Sequence, residues 1–118
     1  MKKIYHLSTC STNQRILKEV EAANNKVVLQ DIKTEPITPG QLDEMKKRAG
    51  SYEALFSRKS LKYRSMGLHE QTLTEQDYRN LILKEYTFLK RPVALIGNEI
   101  FIGNSKAVVE QLKTALQE

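Results

Sequence analysis

The residue best placed to do chemistry is Cys10, the only cysteine in the chain. It sits in Ser8-Thr9-Cys10-Ser11-Thr12-Asn13, after an apolar strand-like run and just before an amphipathic run that reads as helix. A thiol at the start of a helix faces unpaired backbone N–H groups and the positive end of the helix dipole. Both favour the thiolate, which is the nucleophilic form. A cysteine that only fills space belongs more often inside a strand or on the apolar face of a helix. Position alone therefore points to a reactive thiol.

The cations around it are unevenly placed. Lys46, Lys47, Arg48, Arg58, Lys59, Lys62 and Arg64 lie between Met45 and Met66, opposed only by Glu53, in a chain of formal net charge +5. Such a cluster suits nucleic acid or an acidic partner, and equally a solvated helix face and loop. No helix-turn-helix, finger or RNP-type motif is present, so direct nucleic-acid binding is not expected. A small anionic substrate suits this charge better. With two histidines, one cysteine and no carboxylate cluster, neither a metal site nor a bound cofactor is expected. No nucleophile-elbow pattern joins a serine to a histidine and an aspartate.

The 118 residues, 40% hydrophobic and 28% charged, have the length and composition of one globular domain. A lone cysteine excludes an intramolecular disulfide and suggests a reducing compartment. Only Ile4, Tyr5 and Leu7 are apolar between the N-terminal lysines and Ser8, too few for a signal-peptide core. No window approaches the ~20 apolar residues that cross a bilayer. The expectation is a cytoplasmic, soluble protein with no membrane contact.

These features need elements to position them. Residues 2–7 read as a strand ending at the Ser8-Thr9-Cys10 turn. From Thr12, the residues Ile16, Leu17, Val20 and Ala23 fall at helical spacing, with Asn24-Asn25 closing the helix. The β-branched apolar run at 27–32 predicts a buried strand, and the short β-α-β unit predicts that it is parallel to the first. Thr38-Pro39-Gly40-Gln41 combines an N-cap hydroxyl, proline at the first helical position and a capping-box glutamine, with Gly50 as the stop. Residues 51–56 allow a short helical turn, and 57–71 read as loop with helical fragments. Thr74 and Asp77 open a helix to about Glu85, with Tyr78, Leu81 and Ile82 turned inward. Gly97-Asn98 between two apolar runs predicts a hairpin. Asn104 or Ser105 then caps a last helix that buries Val108, Val109, Leu112 and Leu116.

The order β-α-β, helical insert, β-β-α, with a cysteine after the first strand, is the layout of a thioredoxin-like α/β fold. It implies a mixed sheet flanked by helices. Pro92, directly before the third predicted strand, stands where that fold commonly places a cis-proline facing the cysteine. On Ile4-Tyr5-His6 ahead of Cys10, Ser57-Arg58-Lys59, Arg91-Pro92 and Asn104-Ser105-Lys106, the whole chain resembles the arsenate reductase (ArsC)/Spx/YffB family. That resemblance implies one domain over 1–118 with its insert at about 39–89.

The resemblance also implies roles. Cys10 matches the nucleophile that attacks arsenic in arsenate reductases and is then released by glutathione and glutaredoxin. His6, with Thr12, matches groups that tune that thiol. Arg58 and Arg91 match arginines that hold the oxyanion, since planar guanidinium groups neutralise and orient an anion facing a thiolate. The usual arginine four residues after the cysteine is Gln14 here, and Arg15 next to it is the remaining candidate for binding the anion there. Asn13 occupies the place of the second cysteine of a Cys-x-x-Cys switch, so no internal dithiol exists. Two functions are implied. One is an arsenate reductase-like oxidoreductase with a single nucleophile. The other is an Spx-like regulator that contacts RNA polymerase or another partner without turnover.

Overall fold

The computed structural model describes residues 2–22 and 25–117. Strands β1 (Lys2–His6), β2 (Val28–Asp31), β3 (Val93–Ile96) and β4 (Glu99–Ile102) form one sheet in the order β2-β1-β3-β4. β1 and β2 are parallel, while β3 is antiparallel to both β1 and β4. The helices are α1 (Ser11–Glu19), α2 (Pro39–Ala49), α3 (Leu61–Ser65), α4 (Glu75–Lys84) and α5 (Lys106–Leu116). The chain divides into two compact units, residues 1–36 with 91–118, and residues 37–90.

The first unit is built on the sheet. Ile4, Ala94 and Phe101 are cross-strand neighbours in one row. They pack with Ile16, Leu17 and Val20 of α1 and with Val109, Leu112 and Leu116 of α5. Both helices bury the stripes that their i, i+3, i+4 spacing defines. The hairpin turn is the two-residue Gly97-Asn98 loop, and Gly97 takes φ 60°, a conformation that glycine adopts at no steric cost.

Two expectations change. The run at 27–32 is not a buried strand. β2 is an edge strand of the sheet, and Val28 and Leu29 are 57% and 44% exposed, leaving Gln30 as its buried residue, with Ile32 buried just beyond its end. An edge strand packs on one side only, so apolar side chains there need not be covered. Helix α1 stops at Glu19, with Val20 as its C-cap and Glu21 at φ 55°, several residues before Asn25. Ala23 and Asn24 lie outside the described residues.

The second unit follows its punctuation. Thr38 and Gln41 form a complete capping box at the start of α2, with Pro39 in its first turn, and Gly50 ends the helix at φ 94°. Thr74 and Asp77 do the same for α4. Asp43 of α2 accepts from the Tyr52 hydroxyl at 2.6 Å and from Arg79 Nε of α4 at 2.9 Å. Those donors hold its carboxyl down at about 2. Around Phe56 gather Phe88, stacked at 5.1 Å between ring centroids, Tyr78 at 4.9 Å and Tyr63 at 6.0 Å. Residues 57–71, expected to be loop with helical fragments, contain α3 and a 3-10 turn at Leu68–Glu70. No described helix is long and apolar enough to cross a membrane.

Candidate thiol site

Register places the chemistry at one end of the sheet. His6, the last residue of β1, pairs with Asp31 at the end of β2, while Tyr5 pairs with Val93, which opens β3. Val93 in turn pairs with Ile102, the last residue of β4. The turn at 7–10, the Arg91-Pro92 segment and the start of α5 therefore leave the sheet at the same end.

Cys10 is the N-cap of α1, with extended φ −96° and ψ 114°, and its side chain is partly exposed. Its N–H donates to the Leu7 carbonyl at 3.0 Å, and its carbonyl accepts the first helical bond from Gln14 N–H at 3.1 Å. The sulfur caps none of the helix N–H groups itself. Its polar neighbour is Asn13, whose Nδ2 donates to Sγ at 3.4 Å. Asn13 is 1% exposed, and its Oδ1 accepts the Leu7 N–H at 3.0 Å. Gln14 Nε2 donates to the Ser8 carbonyl at 3.1 Å. Asp31 accepts from the Ser8 hydroxyl and from Ser8 N–H at 3.3 Å. The Ser8 hydroxyl, first among several donors, holds the Asp31 carboxyl below its usual range. The turn that carries the thiol is thus tied to α1 on one side and to β2 on the other.

His6 is 7% exposed, and its Nδ1 is buried without a hydrogen-bond partner. Burial pushes its pKa below the ordinary value, outweighing the opposite pull of Asp31, and so favours the neutral ring. Thr12 is half-buried in the first turn of α1. Arg15 is exposed and lines a groove of ≈ 240 Å³ with Asn104 and Lys106, but also with the carboxylates of Glu19 and Glu110. Its surroundings are therefore of mixed charge.

Arg91 is half-buried, and its Nη1 has no hydrogen-bond partner among the described residues. The Arg91-Pro92 peptide bond is cis, Pro92 is buried, and its carbonyl accepts from Gly103 N–H at 2.9 Å. Arg58 belongs to the unit at 37–90. There its Nη2 donates to Glu53 and to the Tyr78 hydroxyl, each at 2.9 Å, and its cationic form is favoured first by Glu53. Among the described residues no group of three or more His, Cys, Asp or Glu could hold a metal ion.

Sequence reasoning passed over Asn13 and Asp31 as partners of the thiol turn. For Asn13 the signal was present. Positions 13, 16, 17 and 20 follow i, i+3, i+4, i+7, so Asn13 lies on the buried stripe, where a polar side chain must find hydrogen bonds. For Asp31 there was none, because its link to Ser8 depends on parallel register across 23 residues.

The ArsC family model matches residues 5–112. Solved structures share the fold. An arsenate reductase from Vibrio cholerae superposes with a TM-score of 0.78 at 16% identity, over 97% of this chain and 96% of that one. A YffB protein gives 0.78 at 19% identity, over 98% and 99%. An arsenate reductase (ArsC) related protein from Brucella melitensis gives 0.72 at 22% identity, over 93% and 92%. No curated protein sequence matches the chain. The architecture is thus the thioredoxin-like one expected: a mixed four-stranded sheet flanked by helices.

Proposed function

Since the chain belongs to the ArsC family, we propose that it is an arsenate reductase-type thiol oxidoreductase in which Cys10 is the single nucleophile. The observation that carries this reading is the setting of Cys10: a partly exposed sulfur at the N-cap of α1, with an amide N–H donor aimed at it. A helix N-terminus supplies backbone donors to an anion. Arg91, at the same end of the sheet, brings a guanidinium nitrogen that is buried and unpaired. A buried donor without a partner carries its full desolvation cost, which an incoming oxyanion relieves.

In this reaction the Cys10 thiolate attacks the arsenic of arsenate, an S–As bond forms, and an arsenate oxygen leaves as water. Asn13 stands where a second cysteine would resolve the adduct, so resolution falls to external thiols. Two glutathione thiols, or glutathione with a glutaredoxin, supply the two electrons. Arsenic is released as arsenite, the thiols leave as a disulfide, and Cys10 is regenerated. The protein works in a reducing, cytoplasmic environment.

The test is arsenite formation from arsenate with glutathione and glutaredoxin present. Wild-type protein forms arsenite and Cys10→Ser forms none above the no-enzyme rate; equal rates would refute the nucleophile. The Spx-like reading, docking on RNA polymerase or another partner without turnover, is favoured by a different observation. Leu61 of α3 is 91% exposed among Lys59, Lys62 and Arg64, a surface suited to an acidic partner with an apolar pocket. Wild-type protein that forms no arsenite would leave that reading standing.

A further inference from the structure

We propose that Asn13 is the positioning residue of the Cys10 thiol, holding the sulfur with one end of its amide and the turn beneath it with the other. The proposal rests on Cys10 being the nucleophile. Asn13 sits in the first turn of α1, three residues after Cys10, on the face that Ile16, Leu17 and Val20 bury. Burying a primary amide among apolar side chains is costly unless it is hydrogen-bonded. At 1% exposure, water cannot meet that need.

Both ends of the amide are used. Oδ1 accepts from Leu7 N–H at 3.0 Å, fixing the last backbone donor before the turn. Planarity of the amide then aims Nδ2 at Sγ, 3.4 Å away. Without Asn13 the sulfur, whose own side chain makes no cap bond, is free to rotate away from the helix N-terminus. An N–H aimed at sulfur stabilises the anion more than the neutral thiol, because hydrogen bonds to charged acceptors are the stronger ones. Gln14 braces the same turn through the Ser8 carbonyl. Asn13 and Gln14, two positions at which the chain departs from the Cys-x-x-Cys and arsenate reductase patterns, are thus both struts of the thiol turn.

Asn13→Asp separates the two ends. It keeps an oxygen for the Leu7 N–H but replaces the donor to sulfur with a carboxylate. Asn13→Leu removes both. The measurement is the second-order rate of Cys10 alkylation by iodoacetamide at neutral pH, alongside the thermal midpoint of each variant. Asn13→Asp slows alkylation about tenfold with a smaller loss of thermal stability than Asn13→Leu, and Asn13→Ser, which restores an O–H donor, recovers part of the rate. Alkylation of Asn13→Asp at the wild-type rate would overturn the proposal.

Should the variants not fold, the wild-type protein decides. On alkylation of Cys10, the side-chain amide resonance of Asn13 shifts and that of Asn25 does not. An unmoved Asn13 resonance would overturn the proposal equally. Iodoacetamide needs no arsenate turnover, so the two failures are distinct. Slow alkylation of Asn13→Asp with no arsenite from wild type refutes the reductase and keeps the positioning role. The reverse result refutes Asn13 and keeps the reductase.

Discussion

At the scale of single residues, the thiol turn joins a helix N-cap to buried polar groups that have few ways to be satisfied. His6 is the clearest titrating case. Its pKa lies below the ordinary 6.5 because burial disfavours the charged ring, and Asp31 only partly offsets this. The unfolded chain therefore takes up the proton at a higher pH than the folded one. The His6 contribution to stability is full above the unfolded value and is lost as pH falls through it toward the lowered folded value. His6→Gln is expected to flatten the fall of the thermal midpoint that sets in as pH drops below the ordinary histidine value of 6.5, leaving the decline at lower pH where carboxylates such as Asp31 protonate. Thermal melts at stepped pH check this; an unchanged slope over that window would show that His6 does not carry it.

At the scale of elements, each unit holds together by its own means. In residues 37–90 the chain returns from α4 through a 3-10 turn at Tyr86–Phe88 to pair back on residues 55–57. Ser57 N–H donates to the Phe88 carbonyl at 2.7 Å, and Lys90 N–H to the Leu55 carbonyl at 2.8 Å. Phe56 is fully buried at the centre of that return, stacked on Phe88 and touching Tyr63 and Tyr78. Phe56→Ala is expected to cost ~3–5 kcal/mol, the usual range for removing a buried phenylalanine. Urea unfolding measures it, and a loss under about 1 kcal/mol would mean the cluster does not anchor this unit.

What was legible at this scale follows local chemistry. The capping boxes at Thr38 and Thr74, the Gly50 stop and the Gly97-Asn98 hairpin are written in neighbouring residues, and each stands where the sequence puts it. The edge position of β2 was not legible, because Val28 and Leu29 are apolar wherever the strand lies. Nor were the Phe56–Leu89 bridge and the Phe56–Phe88 stack, since their residues are far apart in sequence and meet only after the chain has doubled back.

At the scale of the whole molecule, family membership sets the architecture, and the chemistry rests on particular side chains. The match over residues 5–112 covers the Cys10 turn and the Arg91-Pro92 segment together. The place of Cys10 at the N-cap of α1 was legible because a helix start can be read from the sequence. The groups that hold it were not, because Asn13 and Ser8 act through bonds that only the folded turn creates. The net charge of +5 favours approach of small anions. Within that field, Arg91 presents an unpaired donor, while Arg15 shares its groove with Glu19 and Glu110.

A reductase of this kind requires that the thiol and an oxyanion meet at one place. The most direct test is the rate at which iodoacetamide alkylates Cys10 with and without arsenate, in wild type and in Arg91→Ala. Arsenate is expected to slow alkylation of the wild-type thiol several-fold, with protection weakened in Arg91→Ala, because the bound anion shields the sulfur and needs the guanidinium to stay. A Cys10 alkylation rate indifferent to arsenate at any concentration would mean that no oxyanion site adjoins the thiol, and would contradict the reductase assignment.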